Sequence, residues 1–294
     1  MEFQIKWTNS PFRDMPGWIA HHSGDRIVRG SETNDGKWTI SVYDPPVCFP
    51  APYPTVILIH GGGWASRKIF DDQTEWAGDY LGYLGRGLTN RGCLAISVDY
   101  RLMQNIGQSD GYQLTDLYDD CVNALQYISA HPAEFRVDPN RTAVLGESAG
   151  GYLAGALATF SYRELPFRWK TAILVNPITT LHDPIWGKYV PRQSLHPILR
   201  HRDPSQYAAL LSPVDQISAS TCPVLLLHGT EDHTVDPVHS EQFYNKMQEQ
   251  NREAVLCRIP KASHAFLLPE YRFQQEACEC ALRILFAHLE RRLR

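Results

Sequence analysis

An α/β fold with a mostly parallel sheet wound on both faces is what this sequence predicts. Two observations carry that expectation. From about residue 38, β-rich apolar runs alternate with amphipathic helical patterns, the order that produces strand–helix–strand units. Five of those runs are continuously apolar instead of alternating, as strands covered on both faces must be.

The strand candidates are KWTISVYD (37–44), TVILIHG (55–61), CLAISVDY (93–100), RTAVLGE (141–147), TAILVNP (171–177), PVLLLHG (223–229) and AVLCRIP (254–260). Between them, TDLYDDCVNALQYISAH carries Leu117, Cys121, Leu125 and Ile128 at spacings of four, four and three, one face of a helix. SAGGYLAGALATF, HSEQFYNKMQEQN and the final YRFQQEACECALRILFAHLERRL are further helix candidates. Two regions escape the alternation. Residues 1 to about 36 are rich in Trp, Pro, Phe and Gly, and residues 178–221 form a long insertion between core strands. A segment of that length inside a compact domain is usually functional, so both are expected to form a small cap over a site, within a single domain spanning 1–294.

Composition narrows the classes. The 294 residues are 43% hydrophobic and 20% charged, enough for a large soluble core. The net charge of -4, with acids and bases interleaved, argues against a nucleic-acid partner. The basic cluster LERRLR closes the chain as a last helical turn complementing its dipole. No run of about 18 apolar residues predicts a membrane span, and MEFQIKWTNSPFRD lacks the build of a secretory signal. Seven scattered cysteines read as reduced thiols, so a cytoplasmic location is expected, although a trimmed secreted form would look the same. The oligomeric state is open, a homodimer included.

The chemistry-bearing segments all follow strands, where an open α/β sheet binds its ligands. GESAG puts Ser148 between two glycines on a strand-to-helix turn, which exposes a hydroxyl and aims a helix N-terminus at it. The pattern alone arises by chance roughly one time in ten in a chain this long, so its partners decide. HGGGW (60–64) follows another strand, and its glycines can turn backbone N–H groups toward a ligand. Gly61, Gly62 and Ala149 are the candidate oxyanion donors. Downstream, Asp232 and His264 each follow a late strand, in the order Ser, Asp, His that such a nucleophile turn demands. Glu231 and Asp236 are the alternative acids. The crowding of His228, Asp232, His233, Asp236 and His239 invites a metal reading, but the spacing fits no ligand pattern, and no metal or organic cofactor is expected. His60 is read as a brace for the glycine loop, and His21 and His22 as exposed.

HGGGW, DYRL, DPNRTAVLGESAGG, HGTEDHTVDP and SHAF occur in order across residues 55 to 266. In that order they resemble the α/β-hydrolase serine esterases, the branch of hormone-sensitive-lipase-like and acetyl-esterase-like carboxylesterases. The resemblance implies the α/β-hydrolase fold, Ser148 as nucleophile, Asp232 as acid, His264 as base and no catalytic role for Tyr100 or Arg101. The short N-terminal segment is closer to small-cap relatives, among them carbohydrate acetyl esterases, feruloyl esterases and kynurenine formamidases. The implied partner is a small-molecule ester with a short, acetyl-like acyl group. The insertion's Trp186, Tyr189 and Tyr207 could stack on a sugar or aryl ring, or simply pack. An amide-cleaving formamidase, a small serine peptidase and an inactive binding protein are the rivals.

Overall fold

A computed structural model of the chain describes residues 26–29, 39–65, 80–103, 113–182, 203–267 and 274–294. Its strands are β1 (Arg26–Arg29), β2 (Thr39–Tyr43), β3 (Tyr53–Ile59), β4 (Leu94–Val98), β5 (Val137–Glu147), β6 (Trp169–Val175), β7 (Val224–Gly229) and β8 (Ala254–Ile259). They form one eight-stranded sheet in the order β1-β2-β4-β3-β5-β6-β7-β8. β2 runs antiparallel to both its neighbours, and every pair from β4 onward is parallel.

The helices are α1 (Tyr80–Thr89), α2 (Leu114–Ala130), α3 (Pro132–Phe135), α4 (Ala149–Thr159), α5 (Pro204–Leu211), α6 (Val238–Glu249) and α7 (Gln275–Leu293). Strand alternation divides the interior into two cores. Ile57, Ile96, Leu174 and Leu226 face one way, against Leu117, Cys121 and Leu125 of α2, Leu153 of α4 and Phe243 of α6. Leu58, Ala95, Ile173 and Leu227 face the other, against Leu84 and Leu88 of α1 and Leu282, Leu285 and Leu289 of α7. All residues of β4 and β7 are therefore buried, as their unbroken apolar runs require. The stripe Leu117, Cys121, Leu125 and Ile128 is buried as its spacing predicts.

Four elements do not announce themselves in the sequence. α1 contains Gly82, Gly85 and Gly87, poor helix formers. The last two earn their place by contact: a Cβ would meet the Tyr43 ring at 2.9 Å from Gly85 and the Phe286 ring at 2.7 Å from Gly87. β1 and α3 have four residues each, too short for a period to show. α5 lies in the insertion, where Asp203 caps it by accepting the Gln206 N–H at 2.9 Å. The insertion's two ends are stitched together and to α4. Leu181 N–H donates to Ser212 Oγ at 2.7 Å, Val214 N–H to Thr179 O at 3.0 Å, and the Tyr152 hydroxyl to Leu211 O at 2.7 Å. Tyr207 is buried in α5. Trp186, Tyr189, His21, His22 and most of the 1–36 segment lie outside the described residues. Among the described residues no helix is long and apolar enough to cross a membrane.

Candidate active site

The ends of β3, β5, β6, β7 and β8 bring the singled-out residues together. Ser148 sits between β5 and α4 with φ 55° and ψ -120°, a backbone state that non-glycine residues reach only under constraint. Two close approaches impose it. A Cβ on Gly146 would lie 2.0 Å from Gly150 O, and one on Gly150 would lie 2.2 Å from Ile59 O and 2.3 Å from His60 O. Glycine on both sides of the serine is thus a packing requirement, and the second glycine seats the turn on β3. Ser148 N–H donates to Val175 O at 2.8 Å, tying the turn to β6.

The Ser148 hydroxyl faces His264 Nε2 at 2.9 Å, and His264 Nδ1 faces Asp232 Oδ2 at 2.7 Å. The carboxylate determines the tautomer: Nδ1 carries the proton it donates to Asp232, leaving Nε2 to accept from the serine. The loop bearing Asp232 is tied to the loop bearing His264, since Glu231 N–H donates to Ala262 O at 2.9 Å. Burial alone would push the His264 imidazole down; its hydrogen bond to Asp232 and the charges of Glu147 and Asp232 outweigh burial and hold it above its ordinary value. Burial likewise works to raise Asp232, but the hydrogen bonds from His228 and His264 overcome it and hold the carboxyl well below the usual range. Thr234 and Val235 N–H groups also donate to Asp232 Oδ1, both at 2.9 Å.

Of the alternative acids, Glu231 is exposed, and Asp236 accepts the Val238 N–H at 2.9 Å at the start of α6. Among the described residues no group of three or more His, Cys, Asp or Glu side chains could hold a metal ion.

On the other flank, a Cβ on Gly61 would lie 3.2 Å from Ser148 Cβ, so the glycine loop abuts Ser148. His60 Nδ1 lies 2.8 Å from Gly61 O and Nε2 3.1 Å from Asp99 Oδ1. Tyr100 stacks on the His60 ring at 4.2 Å and donates its hydroxyl to His60 O at 2.8 Å, so the loop is braced from below. Gly62 has φ 98°, and Trp64, fully buried, has φ 63°. The Trp64 indole N–H donates to Ala149 O at 3.2 Å, and its ring meets Tyr152 edge-on at 5.3 Å. Ala149 opens α4, where a helix leaves its first N–H groups without internal partners.

Three residues around the site have tasks that the sequence did not assign. Trp64 links the glycine loop to α4. Asn176, at φ 42°, bridges the ends of β6 and β7 by accepting Gly229 N–H at 3.1 Å. His228 lies 3.3 Å from Asp232 Oδ2. Each is a contact between distant segments, and only the HG preceding the TEDHT stretch hinted at the last.

A sheet of this order, with Ser, Asp and His at the ends of β5, β7 and β8, defines the α/β-hydrolase fold. The chain belongs to the prolyl oligopeptidase family, whose model matches residues 88–282. The resemblance to α/β-hydrolase esterases read from the motifs is borne out at this level. A thermophilic esterase from Thermogutta terrifontis, solved with propionate bound, superposes with a TM-score of 0.69 over 90% of this chain and 94% of its own, at 23% identity. Among curated proteins, an esterase from Gibberella moniliformis is 25% identical over 286 residues, 90% of this chain and 84% of its own. The dipeptidyl aminopeptidase BIII of Pseudoxanthomonas mexicana is 25% identical over 234 residues, 75% of this chain. The chain spans only 31% of that peptidase's length.

Proposed function

We propose that the chain is a serine carboxylic ester hydrolase acting on short-chain acyl esters, acetyl above all, through an acyl-enzyme. The observation that carries this reading is the unbroken hydrogen-bonded series from Ser148 Oγ through His264 to Asp232. In it, Ser148 Oγ attacks the ester carbonyl as His264 Nε2 takes its proton. Asp232 holds the imidazole and stabilises its charged form. The N–H groups of Gly61, Gly62 and Ala149 receive the developing oxyanion. His264 then protonates the leaving alcohol, and water, activated by the same imidazole, releases the acid. Every group the cycle needs is a side chain or backbone amide of the chain itself. Propionate in the Thermogutta terrifontis esterase supports a short acyl site. Residues 1–36 and 178–221 are read as cap elements of one domain, and they would select the alcohol.

Family membership favours one second reading, amide cleavage by the same groups as a formamidase or small peptidase, with the dipeptidyl aminopeptidase as precedent. A panel of p-nitrophenyl acetate, butyrate, octanoate and palmitate, acetylated xylo-oligosaccharide, N-formylkynurenine and an alanyl p-nitroanilide separates the two. Ester turnover falling with chain length and disappearing in Ser148→Ala, by about 10⁴-fold or more, is the expected result. Faster cleavage of the anilide or formamide than of the acetate would transfer the assignment to amides. Full ester turnover in Ser148→Ala would remove the mechanism.

A further inference from the structure

We infer that His228 is a positioning residue for the acid–base pair, a second imidazole that holds Asp232 Oδ2 beside His264. The inference rests on the roles proposed above for Asp232 and His264. His228 is the penultimate residue of β7, buried, four residues before Asp232. Its Nε2 lies 3.0 Å from Val235 O and 3.3 Å from Asp232 Oδ2. Both neighbours only accept, so Nε2 carries the proton and shares it between them. Its Nδ1 lies 2.7 Å from Ser240 Oγ on α6, whose hydroxyl donates to it. The tautomer is thereby set from one side by a hydroxyl and from the other by two acceptors.

The consequence falls on Asp232 Oδ2. Oδ2 accepts the His264 N–H at 2.7 Å and lies 3.3 Å from His228 Nε2, while Oδ1 is held independently by the Thr234 and Val235 amides. His228 draws part of the charge of Oδ2 away from His264 and resists rotation of the carboxylate about its own axis. Among the described residues, Asp232, Glu147 and Ser148 act on His264, His228 and His264 on Asp232, and Ser240 on His228. α6, a helix remote in sequence from the nucleophile, becomes part of the acid's support.

Steady-state kinetics of p-nitrophenyl acetate hydrolysis across pH test this on wild type, His228→Leu, His228→Gln, Ser240→Ala and Ser148→Ala, with thermal melts of each. A Gln amide can put an N–H near the Nε2 position, so it is the conservative replacement. His228→Leu is expected to lower kcat about 5- to 10-fold with KM unchanged, about the worth of one ordinary hydrogen bond. Because the amides keep Asp232 in place, its charge then falls wholly on His264, and the acid limb of kcat/KM moves to higher pH. His228→Gln should recover most of both changes. Wild-type kcat and an unmoved limb in a folded His228→Leu protein, or no recovery in His228→Gln, would overturn the inference while leaving the mechanism intact. Should His228→Leu fail to fold, Ser240→Ala takes over, with a smaller fall in kcat and the same direction of shift; unchanged behaviour there overturns it too. Activity surviving in Ser148→Ala overturns mechanism and inference together.

Discussion

On one side of Ser148 stand His264, Asp232 and His228, joined through side-chain nitrogens and oxygens at 2.7 to 3.3 Å. On the other stand Gly61 to Trp64 and the first turn of α4, where the contacts are backbone approaches, positive φ angles and hydrogen bonds that end on backbone carbonyls, the Trp64 indole N–H to Ala149 O among them. The first arm is chemical, since its properties depend on which protons are where, and mutation or pH can retune it. The second is geometric: the donors proposed for it are amides that never titrate, and only a change of backbone or bulk disturbs it. An active site built this way has one half that pH can retune and one half that answers only to changes of packing.

The sharpest way to break the comparison is Gly150→Ala. A single methyl would drive into two backbone carbonyls at 2.2 and 2.3 Å, neither of which can rotate aside. Loss of about 3 kcal/mol or more of stability, together with esterase activity, is expected from such overpacking. Urea denaturation and p-nitrophenyl acetate turnover measure both. A folded, active Gly150→Ala protein would show that the geometric arm has slack.

Asp232→Asn attacks the chemical arm and leaves its shape alone. The amide disturbs the tautomer of His264 and removes the charge that raises it. A fall of about 10⁴-fold in kcat is expected, with little change in melting temperature. The sign of the pH effect follows. The proposed cycle needs neutral His264, and in wild type Asp232 and Glu147 hold its titration above the ordinary range. The acid limb in Asp232→Asn therefore moves to lower pH, and residual rates followed from pH 5 to 9 read the shift.

Trp64→Phe probes the indole hydrogen bond that ties the glycine loop to α4. The ring keeps its place beside Tyr152 while the N–H to Ala149 O is lost. About 1 kcal/mol, or a fewfold fall in kcat with no movement of the pH limb, is the expected cost. A limb that moves would mean the two arms are coupled.

The same division explains what could be read from the sequence. Strands buried on both faces write themselves as unbroken apolar runs, so β3 to β7 were legible, and α2 was legible from its stripe. The chemistry of the first arm requires particular side chains after particular strands, which is why Ser148, Asp232 and His264 stand out in order. What stayed hidden depends on partners distant in the chain. α1 looks too glycine-rich for a helix until Tyr43 and Phe286 are seen against it. His228 looked like one of several crowded histidines until Ser240 and Asp232 took up its two nitrogens. Trp64 reads as the end of a motif, and only its contact with Ala149 gives it a task.

Acid sharpens the comparison further, because it reaches two histidines at opposite ends of the fold. His264 is raised and sits at the strand ends that form the site. His288, on α7, is buried against the start of β6, its Nε2 2.8 Å from Thr171 Oγ1, and burial together with Arg292 and Arg291 lowers it to about 4. The unfolded chain takes up this proton near the ordinary value of about 6.5, before the folded protein does. Its contribution to stability is thus complete above that pH and is lost as pH falls through about 4. On acidification, activity should decline first, through His264, while the melting temperature still holds; the melting temperature should fall only at lower pH, through His288. His288→Gln should flatten the second decline and leave the first alone. Melting curves and initial rates recorded in the same buffers from pH 8 to 4 test this. Coincident declines would mean that acid disables the site by loosening the fold, and the separation between chemical and structural histidines would collapse.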